Sequence, residues 1–176
     1  MIQKGLVHIY YGDGKGKTTC GAGLCLRAAG AGMRVLIYQF MKDGCGNECS
    51  LLRTIPNVSF AGEKRSVKFS FRMSEAEKLL EKERYRCEFS GIVQRVLREE
   101  TDLLFLDEAL NAVSCGLLEE KALTDFLDQK PECLEVILTG REASAPLRER
   151  ADYLSRIVKE SHPYERGIAA RAGIEF

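Results

Sequence analysis

A glycine-rich segment between an apolar run and a helix-forming run constrains this chain more than any other feature. Residues 11–19 read Y-G-D-G-K-G-K-T-T, and they follow the apolar run Leu6–Tyr10. A turn of this kind, leading from a buried strand into a helix that opens with Lys-Thr, typically binds phosphate groups. The sequence therefore predicts a strand–loop–helix unit with a polyphosphate site. The alternative is a glycine-rich turn that only caps a helix.

The residue types in this loop have distinct expected roles. The glycines lack a Cβ atom, so their backbone N–H groups can turn inward around an anion. Lys17 adds a mobile ammonium, and the Thr18 hydroxyl is suitably placed for a phosphate-bound Mg²⁺. The predicted nucleotide-binding residues of the loop are Gly12, Asp13, Gly14, Lys15, Gly16, Lys17, Thr18 and Thr19.

The loop departs from the usual phosphate-binding pattern at its first position. That pattern has four residues between its first glycine and the Gly-Lys pair, and here Tyr11 stands where the first glycine would be. We therefore expect a polyphosphate ligand whose orientation can differ from the usual one.

Composition excludes several classes of protein. At 176 residues the chain has the size of one domain, and we predict a single domain over residues 1–176. Lys plus Arg equals Asp plus Glu at 26 each, so nothing suggests a nucleic-acid or anionic-membrane partner. No apolar run reaches the length of a membrane span, and Met1–Gly5 does not match a signal peptide. The expected location is the cytoplasm.

The cysteines form an odd set without a C-x-x-C pair. Cys45 and Cys49 could share a metal ion, but no third and fourth ligand stands nearby in the sequence. We expect reduced thiols that serve as small buried or half-buried residues. The seven are Cys20, Cys25, Cys45, Cys49, Cys87, Cys115 and Cys133.

Apolar strand-like runs alternate with helix-like runs along the chain. The predicted strands are Leu6–Tyr10, Val35–Phe40, Val58–Ala61, Leu103–Leu106, Glu135–Leu138 and Arg156–Lys159. The predicted helices are Lys17–Ala31, Cys49–Ile55, a long helix from the capping box at Ser74 to about Glu100, Leu118–Gln129 and Leu147–Ala151. Such alternation predicts an α/β fold of three layers, with a mostly parallel sheet covered on both faces.

Several polar residues should meet at one edge of this sheet. Ligands of such folds bind beyond the carboxyl ends of the strands. The predicted strands end near the loop at residues 12–18, near Gln39, at Asp107-Glu108 and at Thr139–Arg141. We expect these four segments to converge.

The segment L-L-F-L-D-E at residues 103–108 predicts the second half of a nucleotide site. Asp107 and Glu108 follow an apolar strand, where one or both would hold Mg²⁺ directly or through water. The alternative is an acidic helix N-terminus that the helix dipole favours. Arg141, in T-G-R, could bind a terminal phosphate with two hydrogen bonds, or it could be a surface arginine after a turn.

With these segments in order, the chain resembles the P-loop family of ATP:corrinoid adenosyltransferases. The resemblance covers nearly the whole chain, and the variant loop together with the C-terminal tail is its most specific part. The matching segments are G-D-G-K-G-K-T-T, Y-Q-F at 38–40, G-N-E at 46–48, L-D-E at 106–108, V-I-L-T-G-R at 136–141, A-D at 151–152 and H-P-Y-E-R-G-I-A-A-R-A-G-I-E-F at 162–176.

The resemblance implies a fold, a reaction and a set of site residues. The fold would be RecA-like, and the enzyme would transfer the 5′-deoxyadenosyl group of ATP to cobalt(I) of cobalamin or another corrinoid, releasing triphosphate. ATP would lie reversed in the loop. Lys17 and Thr18 would be catalytic, Thr18 and Glu108 would bear on Mg²⁺ (with Mn²⁺ as an alternative), and Arg27 and Arg141 would contact the nucleotide region. A homodimer and an electron donor, such as a flavodoxin or another reductase, are also implied.

Phe69 and Phe71 match an aromatic pair that lies beneath the corrin in this family. There the pair displaces the lower axial ligand and leaves four-coordinate cobalt(II), which is easier to reduce. The alternative is a pair in a strand, where residues two apart face the same side and often reach the core. Members of the family often carry a helix before strand one, whereas five residues precede Leu6 here. Either another segment covers the site or the site is more open.

Two other functions compete with this interpretation. A small P-loop nucleoside kinase, similar to thymidine kinase, tends to carry a zinc site of paired C-x-x-C motifs, which this sequence lacks. A non-catalytic, nucleotide-dependent regulator would release ADP and phosphate or turn over no ATP. The histidines require no catalytic role, because cobalt(I) is itself a strong nucleophile. We expect His8 in the core of strand one, and His162 either in a turn or lining the corrin pocket.

Overall fold

The computed structural model describes residues 4–44, 46–62 and 73–175. The predictions made for Cys45, Phe69 and Phe71 lie outside the described residues. The strands are β1 (Val7–Tyr11), β2 (Val35–Gln39), β3 (Val58–Phe60), β4 (Leu103–Asp107), β5 (Glu135–Gly140) and β6 (Tyr153–Arg156). The helices are α1 (Lys17–Gly30), α2 (Asn47–Leu52), α3 (Glu75–Arg98), α4 (Ala109–Ser114), α5 (Glu120–Gln129) and α6 (Ala145–Glu149), followed by a 3₁₀ turn at Pro163–Arg166.

These strands form one parallel sheet in the order β3-β2-β4-β5-β1-β6. Every strand pair among the described residues is parallel. Neighbouring strands therefore end at the same edge, which places the loop after β1 beside the ends of β5 and β6. The α/β class with a mostly parallel sheet is confirmed.

Alternate side chains of the strands serve the two faces of the sheet. On β4, Leu104 and Leu106 belong to a core cluster with α3, α4 and α5, and Leu103 and Phe105 belong to a second cluster with α1 and α2. Because side chains along a strand point alternately to opposite faces, one apolar run can fill both clusters. The predicted three layers follow from this double burial.

The long helix α3 begins at the predicted capping box. The Ser74 hydroxyl accepts a hydrogen bond from Glu77 N at 3.2 Å, and the Glu77 carboxylate accepts one from Ser74 N at 2.9 Å. The buried side chains Tyr85, Phe89, Ile92 and Val96 recur at helical spacing and face the sheet. Among the described residues, no helix combines the length and apolarity that a bilayer crossing requires.

The structure departs from the predicted elements beyond shifts of two or three residues at helix ends. The six-residue helix α4 directly after L-D-E was not predicted, because it is too short to show a helical period. β5 extends through Thr139 and Gly140, which were expected in a loop. The last strand ends at Arg156 instead of beginning there, because hydrogen bonding to β1 fixes its register and its side chains are all exposed.

Both histidines make contacts that stabilise the local fold. His8 is buried in β1, where its ring contacts the Glu135 carboxylate and stacks on Tyr153 with ring centroids 4.5 Å apart. The expectation of a core residue is confirmed. His162 precedes the 3₁₀ turn, and its Nδ1 accepts a hydrogen bond from Tyr164 N at 3.2 Å, as expected for a turn residue.

The described cysteines are free thiols. Burial raises the pKa of Cys25 to about 12 and that of Cys49 to about 11, so both thiols stay protonated at neutral pH. The Cys49 thiol donates a hydrogen bond to Gln39 Oε1 at 3.1 Å. Cys25 and Cys49 are buried as expected, whereas Cys20, Cys87, Cys115 and Cys133 are exposed, so the expectation of buried or half-buried residues is wrong for these four.

Adding one methyl group at Gly21 should destabilise the fold, whereas the same change at Gly23 should not. A Cβ at Gly21 would lie 2.4 Å from Cζ of Phe105, and a Cβ at Gly23 would meet no atom within 4 Å. We expect Gly21→Ala to lower the free energy of unfolding by about 1–3 kcal/mol through overpacking. Gly23→Ala, in the same helix, should raise it by about 0.5–1 kcal/mol. Urea denaturation followed by circular dichroism measures both; equal stabilities would mean that Phe105 moves aside without cost.

Candidate nucleotide and metal site

A cavity of about 640 Å³ opens at the carboxyl edge of the sheet, and we call it the phosphate-loop cavity. The segment from Gly14 to Thr19 forms one wall, and Gln39, Lys42 and Glu108 line the opposite side. The C-terminal residues Gly173 to Glu175 also line it, with the Lys15 ammonium 3.6 Å from the Glu175 carboxylate. Its size suits a nucleotide-sized ligand.

The first two glycines of the loop have their N–H groups engaged inside the protein. Gly12 N donates to the carbonyl of Arg141 at 2.9 Å, and Gly14 N donates to that of Ile157 at 2.9 Å. A Cβ at Gly12 would lie 2.2 Å from the carbonyl oxygen of Ile157, so these glycines allow the loop to pack against the segment after β6. The expectation that their N–H groups surround an anion is not met in this arrangement.

The N–H groups at the start of α1 are the available anion donors. Gly16 precedes the helix with a φ of 115°, a left-handed conformation that favours glycine. The first N–H groups of a helix have no carbonyl partner within it, and the residues that carry them here line the phosphate-loop cavity. We therefore expect phosphate to bind to the N–H groups of Gly16–Thr19.

Lys17 lies half-buried at the mouth of the cavity. Its ammonium donates to the carbonyl oxygen of Gly14 at 2.6 Å. Burial lowers the pKa of Lys17, and the nearby Glu108 carboxylate opposes that effect. An incoming phosphate could replace the carbonyl as the partner of this ammonium.

Asp107, at the end of β4, is the centre of the polar network. Its carboxylate is fully buried and accepts four hydrogen bonds. Oδ1 accepts from the hydroxyls of Thr18 (3.0 Å) and Thr139 (2.6 Å), and Oδ2 accepts from Gln39 Nε2 (2.9 Å) and Lys42 Nζ (2.7 Å). The predicted convergence of the loop with the ends of β2, β4 and β5 is confirmed.

Lys42 was not singled out from the sequence. Its ammonium donates to Thr18 Oγ1 at 2.8 Å as well as to Asp107, so it bridges two of the expected metal ligands. Burial is the largest single effect and lowers the pKa of Lys42, but the carboxylates of Asp107, Glu108 and Glu48 together outweigh it and the net shift is upward. Lys42 lies three residues past the end of β2, and nothing in the local sequence distinguishes it from a surface lysine.

Glu108 lines the cavity in an unusual backbone conformation. Its φ of 59° is left-handed, and its N–H donates to the Thr139 hydroxyl at 2.8 Å. Burial, followed by the charge of Asp107, raises the pKa of Glu108. The Asn111 amide contacts the carboxylate from the first turn of α4, a partner that sequence reasoning missed. The left-handed conformation at Glu108 directs the carboxyl groups of Asp107 and Glu108 to different partners.

The two expected arginines lie at different distances from the loop. Arg141 lines a second cavity of about 580 Å³, together with Gly12, Asp13 and Arg156. Arg27 lies in the last turn of α1, about 15 Å along the helix from Lys17, and lines neither cavity. The Asp13 carboxylate accepts from Lys159 N at 3.1 Å, which lowers its pKa. The roles of Arg27 and Arg141 stay predictions.

The donor set at Asp107 fits a hard cation. A hydroxyl and two carboxyl groups are oxygen ligands of the type that Mg²⁺ takes, and Mg²⁺ is often held by one or two carboxylates plus phosphate oxygens. The ammonium of Lys42 on Thr18 and Asp107 indicates that positive charge is stabilised at this point. Among the described residues, no group of three or more His, Cys, Asp or Glu side chains could hold a metal ion.

The fold and the site together define a class of protein. The sheet is parallel, and one of its edges carries a glycine-rich loop, the first turn of α1 and the carboxylate at the end of β4. This arrangement is consistent with a P-loop NTPase-like fold. A solved structure of the cytoplasmic domain of EssC has the same general fold, with a TM-score of 0.55 at 19% sequence identity. The match covers 98% of this chain and 35% of that one, and it supports the fold alone.

Sequence comparison identifies the family. The sequence model of the ATP:corrinoid adenosyltransferases BtuR/CobO/CobP matches residues 3–176, so the chain belongs to this family. A corrinoid adenosyltransferase of Pseudomonas aeruginosa is 29% identical, over 99% of this chain and 85% of the relative. One of Escherichia coli K12 is 27% identical, over 99% and 87%. Membership favours transfer of the adenosyl group of ATP to a corrinoid over the kinase and the regulator.

Proposed function

We propose that this enzyme transfers the 5′-deoxyadenosyl group of ATP to cobalt(I) of a corrinoid and releases inorganic triphosphate. Cobalt(I) supplies the electron pair for the new Co–C5′ bond, and the C5′–O bond breaks with its electrons leaving on triphosphate. The observation that carries this proposal is the joining of the variant loop to the buried carboxylate Asp107 through Thr18, in a chain that belongs to the family.

The residues at the loop would act on the leaving group. The Lys17 ammonium and the N–H groups at the start of α1 would bind the triphosphate and neutralise the charge that develops on it. No side chain has to be activated as a nucleophile, because the corrinoid is the nucleophile. The main task of the protein is then to hold C5′ in line with cobalt.

Mg²⁺ would be held by Thr18 and by one or both of Asp107 and Glu108. A bound Mg²⁺ would withdraw charge from the phosphate oxygens and so make triphosphate a better leaving group. Mn²⁺ has the same preference for oxygen ligands and is the alternative. The fit of these oxygens to a hard cation supports the assignment.

Phe69 and Phe71 would lie beneath the corrin, as the family resemblance implies. In that role they would matter when the enzyme starts from cobalt(II) and a reductant, and much less when it starts from cobalt(I). Comparing Phe69→Ala with the wild type from both oxidation states tests the pair. Equal losses of activity from both oxidation states, with a large drop in melting temperature, would indicate that these residues pack in the core instead.

We further propose a single cytoplasmic domain that works as a homodimer and receives electrons from a flavodoxin or another reductase. These assignments rest on the family resemblance. Sedimentation at micromolar concentration tests the dimer, and a monomer that is fully active would contradict it.

The product of ATP tests the proposed reaction. We expect purified protein, Mg²⁺, ATP and chemically reduced cobalamin to yield a light-sensitive adenosylated corrinoid and inorganic triphosphate in equal amounts. Ion chromatography measures the phosphate product and absorbance measures the corrinoid. ADP with an unalkylated corrinoid would contradict the proposal, and phosphorylation of an added nucleoside would favour the kinase instead.

A further inference from the structure

The ammonium of Lys42 bridges the two protein groups that a metal ion at this site would need. It donates to Thr18 Oγ1 at 2.8 Å and to Asp107 Oδ2 at 2.7 Å, and the Thr18 hydroxyl itself donates to Asp107 Oδ1 at 3.0 Å. The three groups form a closed ring of hydrogen bonds. A divalent cation that takes both oxygens as ligands would have to displace this ammonium.

The backbone holds Lys42 in place for this contact. Phe40 N donates to the carbonyl of Asp107 at 2.9 Å, and Met41 N donates to the Tyr85 hydroxyl at 3.0 Å. Met41 has a φ of 56°, a left-handed conformation that few non-glycine residues adopt. The turn is thus fixed from both β4 and α3, and the side chain that follows it is directed at Asp107.

The contact with Lys42 supplies the positive charge that the buried Asp107 carboxylate requires. The Asp107 carboxylate is fully buried, and its other three hydrogen-bond donors, Thr18, Thr139 and Gln39, are neutral. A buried carboxylate is costly unless an opposite charge lies beside it. In this arrangement Lys42 is the cation that neutralises Asp107.

The same side chain has a route away from the site. About a third of the Lys42 side chain is exposed, and it lines the phosphate-loop cavity together with Lys17 and Thr18. An ammonium released from Asp107 would therefore enter the space in which the polyphosphate is proposed to bind. It would exchange one anionic partner for another and keep its charge paired.

We propose that Lys42 is an internal counter-ion that occupies the metal position until nucleotide arrives. Metal alone would have to expel the ammonium from Asp107 and leave it only the nearby carboxylates of Glu48 and Glu108, of which Glu108 is itself an expected metal ligand, so metal alone binds weakly. Metal and ATP together supply both a replacement cation for Asp107 and phosphate oxygens for Lys42. The site therefore admits the metal with the nucleotide rather than before it. This inference rests on the proposed metal site at Thr18, Asp107 and Glu108.

Direct metal binding without corrinoid tests the proposal. The loss of the free Mn²⁺ signal in electron paramagnetic resonance gives the affinity of the protein for Mn²⁺ without ATP. With ATP, the Mn²⁺ retained with the protein in equilibrium dialysis is measured instead, because ATP itself binds Mn²⁺ in solution. In the wild type we expect weak binding of Mn²⁺ alone and strong binding with ATP. In Lys42→Met, Mn²⁺ alone should bind on the order of tenfold more tightly or better, and the coupling to ATP should fall by a similar factor.

Two further variants separate charge from folding. Lys42→Arg keeps a cation and should keep weak nucleotide-free binding, whereas Lys42→Gln removes the charge and should behave like Lys42→Met. Lys121→Met, at an exposed lysine of α5, is the control for general charge loss and should not alter Mn²⁺ binding. If Lys42→Met does not fold alone, added Mn²⁺ should restore its circular dichroism spectrum, since the metal would replace the missing counter-ion.

The outcomes separate this inference from the proposed metal site. No Mn²⁺ binding by the wild type, even with ATP, would overturn the metal site and this inference together. Binding with ATP that is normal in the wild type, but no gain of nucleotide-free binding in Lys42→Met and Lys42→Gln, would overturn only the role of Lys42. Weaker Mn²⁺ binding in these variants would make Lys42 a supporting residue of the site instead of a competitor.

Discussion

Replacing Lys17 by alanine is expected to lower kcat/KM for adenosyl transfer by roughly 30- to 1000-fold. Lys17 is the first residue of α1 and lies among the residues that line the phosphate-loop cavity. Loss of one preorganised charge contact to a leaving group costs on the order of 2–4 kcal/mol of transition-state stabilisation, and each 1.4 kcal/mol is about tenfold in rate. Steady-state formation of adenosylated corrinoid from prereduced cobalamin measures the effect.

The fold of this variant should be intact. Lys17 is only half-buried, and the side-chain hydrogen bond that it makes to the described residues is to the carbonyl of Gly14, so its removal leaves no buried cavity. Lys78→Ala, at a lysine on α3 that pairs with Glu75, is the control and should keep full activity. Near-wild-type activity of Lys17→Ala, with an unchanged circular dichroism spectrum, would mean that this loop does not bind the triphosphate.

Replacing Asp107 by alanine is expected to lower the free energy of unfolding by about 3–5 kcal/mol, because three hydrogen-bond donors lose a buried acceptor at about 1–3 kcal/mol each. The change leaves Lys42 without its buried partner and takes the acceptor away from Thr18, Thr139 and Gln39. Adenosyl transfer should also be lost, because the expected metal ligand is gone. Urea unfolding of the metal-free and nucleotide-free protein measures the change in the free energy of unfolding separately from the loss of adenosyl transfer.

Two comparisons make this test specific. Asp107→Asn keeps the size of the side chain and part of its hydrogen bonding, so it should fall between the wild type and Asp107→Ala. Asp128→Ala removes a surface carboxylate that accepts two hydrogen bonds from Arg150, at 2.8 and 2.7 Å. Because solvent screens a surface pair, its loss should change stability far less. Similar losses at Asp107 and Asp128 would contradict the central role of the Asp107 network.

The layered fold could be predicted because each element carries its own local signal. The strand β4 reads as an apolar run, and its alternating side chains fill both faces of the sheet. The capping box at Ser74 fixes the start of α3 through contacts within four residues. Where the signal is weak, as in the six-residue helix α4 and the exposed strand β6, the boundaries were missed or misplaced.

The meeting of Thr18, Gln39, Asp107 and Thr139 could also be predicted. It requires only that the strands be parallel, since their carboxyl ends then share one edge. The hydrogen-bond partners of the loop glycines could not be predicted from the order of the strands. Gly12 and Gly14 bind carbonyls of Arg141 and the segment after β6 through their N–H groups, and only the packing of three strands brings those carbonyls there.

The sequence by itself thus determined the class of fold, the loop and the strand-end carboxylates, because these depend on local patterns and on the order of the elements along the chain. Only the tertiary structure decided what neutralises Asp107. Lys42 is separated from it by 65 residues and looks, in the sequence, like any surface lysine at the end of a strand. Its role depends on a left-handed turn at Met41 and on the full burial of a distant carboxylate, and electrostatic pairing of that kind is set by distances that no local pattern encodes.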